Sequence, residues 1–228
     1  MPMADHIVKE PYSSSVGDYI KAIWDLEGVG SASTKDVATR LLVSPASVSD
    51  MFVRLQEMGL VEYERYQGAS LTERGRVEAL RIVRRHRLIE TFLLEHLGYD
   101  WQEVHDEAER LEHAISDGFT ERLAALLGHP DHDPHGDPIP SAEGTLEVDD
   151  SFALSQAISG QRLRISKVRD EDAAVLDYLG DRNLLPGRRL RVREVRELDG
   201  VVIVEDEDEE VFVLGEPLAR SIFVENGP

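Results

Sequence analysis

The chain has 228 residues, no Cys and a formal net charge of −20. Without Cys it can form no disulfide, no zinc–thiolate site and no thiol nucleophile. No apolar run approaches the roughly 18 residues of a membrane helix, and MPMADHIVKE at the N-terminus lacks a signal-peptide core, so we expect a cytoplasmic protein. The net charge is −4 over residues 1–80, −7 over 81–140 and −9 over 141–228. Binding to nucleic acid is therefore tenable only in the first 80 residues.

The first 80 residues are predicted to form helices followed by a hairpin. Residues 16–28 place apolar side chains at helical spacing. Two further helices, over 33–42 and 44–58, each begin at a Ser with N-cap character. Only about three residues separate them, which is typical of a helix-turn-helix. The β-rich run 60–72 with a central Gln-Gly turn predicts a hairpin wing.

Short polar side chains lie on the first turns of the second of these two helices, where a recognition helix meets base edges and phosphates. Basic side chains are few, so we expect modest affinity from one protomer and reliance on a dimer. Asp50 could accept from a cytosine amino group but would otherwise repel phosphate. The predicted DNA-binding residues are Thr34, Lys35, Ser44, Pro45, Ser47, Ser49, Asp50, Arg54 and Arg65. The alternative is that the helices and hairpin form only a packing unit.

Three more helices are predicted over about 72–97, 101–115 and 116–128. They carry more large apolar side chains than a helical hairpin could bury alone, which indicates a dimer interface. The Pro-, Gly- and Asp-rich stretch 129–144 marks a boundary. Beyond it, one helix at about 170–180 interrupts short strand-like runs that indicate a small β-barrel. The runs are RLRISKV, RLRVREV, GVVIVED, EVFVLG and ARSIFV.

HDEAERLEH, residues 105–113, turns two imidazoles and two carboxylates to one side of a predicted helix. At about 100° per residue, His105, Glu109, Glu112 and His113 fall within roughly a 100° arc. The only basic neighbour is Arg110, which points away, so the face is either solvated or awaits a cation.

The preceding helix offers a second set of potential ligands, His86 and Glu90, at i, i+4 spacing. Imidazole and carboxylate without sulfur suit first-row divalent ions, and oxygen-rich sets favour Mn²⁺ or Fe²⁺. The carboxylates are too many for a structural zinc site. A metalloenzyme is the alternative, but a di-iron bundle needs Glu-x-x-His pairs that are absent here.

Five segments together resemble the diphtheria-toxin-repressor-like family of iron- and manganese-dependent transcriptional regulators. They are DYIKAIWDLE, SPASVSDMFVRLQEMGLVEY, RRHRLIETFL, VHDEAERLEH and DPHGDPIP. The resemblance implies a mainly α fold with β structure in three domains. These are a winged helix-turn-helix domain (1–73), a helical metal-binding and dimerisation domain (74–140) and, after a linker (141–150), an SH3-like, FeoA-like small β-barrel (151–228).

The resemblance also implies the metal ligands. The primary site would be Asp18, Glu109, Glu112 and His113, and the ancillary site would be His86, Glu90 and His105 with Glu171 or Asp172. Asp18 and Glu109 stand where the iron-responsive branch has Met and Cys. At both positions the manganese-responsive branch is similar to this sequence. Lys21, however, stands where the manganese branch uses Glu, which argues against its closely spaced two-metal arrangement. His105 and the barrel are similar to the iron branch.

The implied function is a homodimeric repressor of metal-uptake genes that binds a palindromic double-stranded DNA operator, with Mn²⁺ as first choice of corepressor and Fe²⁺ as second. Two metal sites per chain are expected, and Zn²⁺, Co²⁺, Cd²⁺ or Ni²⁺ could substitute in vitro. We expect no enzymatic activity, no membrane association and no small organic substrate. A winged-helix regulator of a non-metal ligand is the alternative.

Overall fold

The computed structural model describes residues 12–27, 30–169 and 172–227. Their contacts divide them into two compact units. The first contains the described residues of Met1–His86, Glu109–Leu126 and Pro140–Leu146, and the second contains those of Arg87–Ala108, Leu127–Ile139 and Glu147–Pro228. Among the described residues, no helix combines the length and the apolarity that a membrane span requires. The signal-peptide prediction falls on residues 1–10, outside the described part.

The first unit begins with three helices and a hairpin, as predicted for a winged helix-turn-helix. The helices are α1 (Ser14–Leu26), α2 (Thr34–Arg40) and α3 (Pro45–Glu57), and the wing is β1 (Val61–Glu64) paired antiparallel with β2 (Gly68–Leu71). The side chains of Ser33 and Ser44 accept hydrogen bonds from the amides of Asp36 and Ser47, which fixes the starts of α2 and α3. Buried apolar side chains join all five elements in one core: Val16, Ile20, Ile23, Val37, Val48, Phe52, Leu55, Leu60, Val61 and Leu71.

The middle of the chain contains three helices. They are α4 (Glu73–Phe92), which continues into a π-helical turn (Leu93–Leu97), α5 (Val104–Leu111) and α6 (Asp117–Leu126). Gly98, at φ 71°, ends the π-helical turn in the left-handed conformation that glycine adopts without strain.

The prediction of an unbroken helix over 101–115 is wrong at its C-terminal end, because α5 stops at Leu111. Glu112 and His113 lie in the following turn, where the amide of Ala114 donates to the carbonyl of Leu111.

The second unit contains a six-stranded antiparallel sheet with the order β3-β8-β4-β5-β6-β7. The strands are β3 (Phe152–Ala153), β4 (Arg162–Val168), β5 (Arg189–Arg196), β6 (Val201–Asp206), β7 (Val211–Leu214) and β8 (Ile222–Asn226). The register shifts in the pairing of β4 with β8 and of β5 with β6, as it does at a β-bulge. Its apolar face packs with α7 (Ala173–Asp181) around buried side chains that include Leu163, Ile165, Leu179, Val192 and Val204.

The predicted strand ARSIFV is wrong in its first half, since residues up to Ser221 form a helix, α8 (Glu216–Ser221). Gly215 precedes this helix and Pro217 occupies its first turn, a position that favours helix initiation. The short strand β3 and helix α8 were not predicted. The sequence prediction missed them because neither is long enough to show a periodic pattern.

Candidate metal centre and nucleic-acid interface

His113 and Asp18 are in direct contact in the first unit. Nε2 of His113, in the turn after α5, lies 2.7 Å from Oδ1 of Asp18 on α1. Gly17 makes this approach possible, because a Cβ at that position would lie 2.8 Å from Cε1 of His113. The hydrogen bond with Asp18 raises the pKa of His113 above its ordinary value; burial opposes this rise and the charge of Glu112 supports it.

Glu112 is fully buried, and its two carboxylate oxygens have different surroundings. Oε2 lies 2.6 Å from Nδ1 of His86 and accepts a hydrogen bond of 2.8 Å from Lys21. Oε1 faces His113, with Nε2 at 3.3 Å, but accepts no hydrogen bond within the described part of the chain. A buried carboxylate oxygen in this state is costly, and a cation beside it would offset the cost.

Lys21, on the next turn of α1 after Asp18, extends its ammonium between the carboxylates. Nζ donates to Oε1 of Glu109 at 3.0 Å and to Oε2 of Glu112 at 2.8 Å, and it lies 3.2 Å from Nδ1 of His86. Burial by itself would lower the pKa of Lys21, but the charges and hydrogen bonds of Glu112 and Glu109 raise it above its ordinary value. The cation that HDEAERLEH lacks in the sequence is thus supplied, in part, by α1.

Two groups of three potential ligands converge within the first unit, and they share Glu112. The first is Asp18, Glu112 and His113; the second is His86, Glu109 and Glu112. In each group the ligand atoms lie within 4.8 Å of one another. Oxygen and imidazole nitrogen donors of this kind fit a first-row divalent cation. Of the four residues predicted for the primary site, Glu109 belongs to the second group and not to the first, and its Oε1 accepts from Lys21.

Two of the residues predicted for the ancillary site, Glu90 and His105, are in contact within the second unit. His86 and Glu90 occupy consecutive turns of α4, and in the second unit Nδ1 of His105 lies 3.2 Å from Oε1 of the fully buried Glu90. Asp172 caps α7, where Oδ1 accepts from the amide of Ala174, so its carboxylate already has a structural partner. Glu171 lies outside the described residues.

A concave surface of the first unit brings together part of the predicted DNA-binding set. Its lining includes five of those residues, Thr34, Lys35, Ser49, Asp50 and Arg65. The other four, at the exposed start of α3 and on its later turns, are Ser44, Pro45, Ser47 and Arg54.

Two aromatic side chains of this surface, Tyr63 and Tyr66, are not among the residues predicted from the sequence. Tyr66 is 92% exposed at the tip of the wing, and the guanidinium of Arg65 lies 5.3 Å from its ring centroid. An aromatic residue at a hairpin tip that contributes nothing to a core was the available signal, since exposed Tyr commonly mediates contacts.

Three models of known protein domains match successive parts of the chain. The family model of the iron-dependent repressor N-terminal DNA-binding domain matches residues 12–69, and that of the iron-dependent repressor metal-binding and dimerisation domain matches 72–141. The chain belongs to the iron-dependent repressor family. A FeoA domain matches residues 152–226, in agreement with the predicted SH3-like C-terminal part.

The alignments with individual relatives span different fractions of this chain. The iron-dependent repressor IdeR of Mycobacterium tuberculosis is 38% identical over 123 residues, 54% of this chain and 54% of that protein. The chain therefore matches about half the length of the mycobacterial repressors. The diphtheria toxin repressor of Corynebacterium efficiens is 32% identical over 165 residues, 70% of this chain and 72% of that protein. A solved manganese-dependent transcriptional repressor in complex with manganese is 40% identical, has a TM-score of 0.88, and aligns with 93% of this chain and 100% of its own.

Proposed function

We propose that this family member is a homodimeric transcriptional repressor whose binding to DNA depends on Mn²⁺ or, as second choice, Fe²⁺. One observation carries the proposal: Asp18, on the first helix of the winged-helix fold, meets Glu112 and His113 of the segment that matches the dimerisation domain. Residues that are 95 positions apart in the chain thus form one potential ligand set.

The chemistry of the donors supports the choice of metal. The site offers carboxylate oxygens and imidazole nitrogens without sulfur, a combination that suits Mn²⁺ and Fe²⁺ and would also accept Zn²⁺, Co²⁺, Cd²⁺ or Ni²⁺ in vitro. The buried Oε1 of Glu112, which accepts no hydrogen bond among the described residues, is directed at the same place. The solved manganese-dependent relative was obtained as a complex with manganese, which agrees with Mn²⁺ as first choice.

The position of α1 connects the ligand set to the DNA-binding surface. Val16, Ile20 and Ile23 of α1 belong to the core that also contains Val48 and Phe52 of α3. A bound divalent cation would supply positive charge that Asp18, Glu112 and His113 share. Asp18 would thereby hold α1, and with it α3, in a fixed position relative to the segment that follows α5. In a dimer this position sets the distance between the two recognition helices, which must match the half-sites of the operator.

The remaining predictions are part of the same proposal. Glu109 would complete the primary site, and His86, Glu90 and His105 would form an ancillary site with Glu171 or Asp172 as a further acid. The three domains would have the boundaries predicted from the sequence. The nine residues predicted from the helix-turn-helix, with Tyr66 in addition, would contact a palindromic operator. We propose a cytoplasmic protein without catalytic activity.

Measurement of DNA affinity with and without metal tests the proposal. A duplex selected from a random pool in the presence of Mn²⁺ is titrated by fluorescence anisotropy in Mn²⁺ and in EDTA. We expect Mn²⁺ to tighten binding roughly 5- to 150-fold, the usual range of allosteric coupling. Asp18→Asn should abolish this response and leave binding in EDTA unchanged. Glu143→Gln, which neutralises an exposed carboxylate of the same unit, should keep it. Equal affinities of the wild type in both conditions would remove the corepressor role.

A further inference from the structure

The His86/Glu109/Glu112 cluster already surrounds a cation, the ammonium of Lys21. Nζ lies 3.0 Å from Glu109, 2.8 Å from Glu112 and 3.2 Å from His86, the three residues whose ligand atoms converge within 4.8 Å. The side chain of Lys21 is only 11% exposed, and that of Glu112 is fully buried. The ammonium therefore sits where a divalent ion bound by these three residues would sit.

Lys21 and a divalent ion cannot both occupy that position. Two like charges a few ångströms apart in a partly buried site repel each other by several kcal/mol even at an effective dielectric constant of about 20. The lysine is attached to α1 by a short tether, and its ammonium hydrogen bonds to two carboxylates, which are among the stronger hydrogen bonds in proteins.

Because Lys21 binds only one carboxylate oxygen of Glu112, the other oxygen can bind a second cation. The ammonium binds Oε2, whereas Oε1 faces His113. Asp18, Glu112 and His113 therefore remain available as a ligand set beside the ammonium. The orientation of the Glu112 carboxylate is fixed before any ion arrives.

We propose that Lys21 is a built-in counter-ion that occupies the second cation position, limits the Asp18/Glu112/His113 centre to one divalent ion and orients Glu112 toward it. This inference rests on the proposed function, because it concerns the same centre. It assigns to Lys21 a role in setting metal stoichiometry. Lys21 itself is a positioning residue that binds no metal.

The test compares the wild type with Lys21→Met in Mn²⁺ binding. Calorimetry and elemental analysis should show one additional Mn²⁺ per chain in the variant. Electron paramagnetic resonance should show a magnetically coupled Mn²⁺ pair, because ions that share a bridging carboxylate lie about 3.5–4 Å apart. Lys167→Met is the matched control, since Lys167 is also hydrogen-bonded to two carboxylates, those of Asp137 and Asp149. It should leave the Mn²⁺ stoichiometry and the resonance spectrum as in the wild type.

Thermal stability without metal gives a second readout. Lys21→Met leaves Glu112 buried without its cation, so we expect the melting temperature in EDTA to fall by about 6–20 °C and to recover in Mn²⁺. A variant that folds only in Mn²⁺, as followed by circular dichroism, would equally support the inference. If Lys21→Met and Lys21→Gln both stay unfolded even in saturating Mn²⁺, a metal ion does not replace the ammonium and the inference is overturned.

The outcomes separate this inference from the proposed function. Unchanged stoichiometry and an uncoupled spectrum in Lys21→Met, with Mn²⁺ still bound at Asp18 and His113, would overturn the role of Lys21 alone. If the wild type itself binds no Mn²⁺ that His113→Ala removes, the proposed function fails and the inference fails with it.

Discussion

Two segments of this chain are rich in His and acidic residues, and the structure uses them in opposite ways. The first, residues 105–113, comprises most of α5 and the turn after it, and contributes Glu109, Glu112 and His113 to convergent groups of potential ligands. In the loop segment, residues 129–137, the carboxylate of Asp133 accepts from the amides of His135 and Asp137 instead. Similar composition thus gives a candidate metal centre in one place and loop scaffolding in the other.

The difference lies in what else the carboxylates must do. In α5 and the turn after it, backbone carbonyls accept from backbone amides, as Leu111 does from Ala114, so the side chains are available to other partners. An irregular loop has to satisfy its amides with nearby acceptors, and Asp133 does this while it also forms an ion pair with Arg87. His135 is fully buried, stacked on Trp101 with ring centroids 5.0 Å apart, and its Nε2 lies 3.1 Å from the Trp101 carbonyl oxygen. The spacing of His and acidic residues therefore predicts a metal site only where these side chains are not needed as hydrogen-bond acceptors for backbone amides.

The largest expected effect separates the two segments directly. His113→Ala removes a nitrogen donor from the Asp18/Glu112/His113 set, and we expect Mn²⁺ affinity to fall by about 100-fold or more, measured by calorimetry. His132→Ala, at an exposed position of the loop segment, should leave the affinity as it is. Similar losses in both variants would show that the loop segment also binds metal and would end the comparison.

The converse substitution tests the structural role of the loop segment. Asp133→Ala removes the acceptor of two amides and the partner of Arg87 from a buried position. We expect the free energy of unfolding to fall by about 2–4 kcal/mol in urea denaturation, with Mn²⁺ affinity unchanged. Asp131→Ala, at an exposed position, should stay within about 0.5 kcal/mol of the wild type. Loss of Mn²⁺ binding without loss of stability would reverse our assignment of the segment.

Gly17→Ala should weaken metal binding without a corresponding loss of stability. The new Cβ would displace the imidazole of His113, and Mn²⁺ affinity should fall by about 10-fold. Replacement of a helical Gly by Ala otherwise stabilises by up to about 1 kcal/mol, so thermal stability in EDTA should not collapse with it. Gly118→Ala, in α6, is the control: an added Cβ there would meet nothing within 4 Å, so Mn²⁺ affinity should not change. An unchanged affinity in Gly17→Ala would mean that His113 need not pack against α1.

The smallest expected effect concerns the ion pairs that hold the end of the loop segment. Lys167 binds Asp137 of that segment and also Asp149. Burial opposes ionisation of Asp149, but hydrogen bonds from Lys167 and Ser151 outweigh it and lower the pKa below the ordinary 3.8. A lowered native pKa means that the stabilisation is fully present above the unfolded-state value and is lost as the pH falls through the native one.

Asp149→Asn should therefore cost less than about 1 kcal/mol at neutral pH, because the pair is partly exposed. The difference from the wild type should shrink as the pH falls below 3.8. Urea denaturation at both pH values measures it, with Asp150→Asn as the exposed control. A difference that grows in acid would contradict the direction of the pKa shift.

Local features of this protein could be predicted from the order of its residues. Hydrophobic periodicity and N-cap residues located α1 to α4, α6 and the wing, and the i, i+4 pairs on α4 and α5 identified most of the potential ligands. These signals are local, since they depend on the geometry of one helix or strand and on hydrogen bonds a few residues apart. The same locality explains the errors, because α8 and the early end of α5 depend on single turns of backbone.

The contacts of the candidate centre, in contrast, depend on how distant segments pack against one another. Lys21 reaches carboxylates 88 and 91 residues away, and Gly17 makes room for the imidazole of His113 in the turn after α5. From the sequence, the family resemblance marked Lys21 only as a departure from the manganese branch, without any partner, and Gly17 is a weak helix former. Which side chains meet depends on the packing of whole helices, and no spacing within one helix contains that information. That Lys21 binds Oε2 of Glu112, while Oε1 faces His113, is therefore a property of the folded molecule.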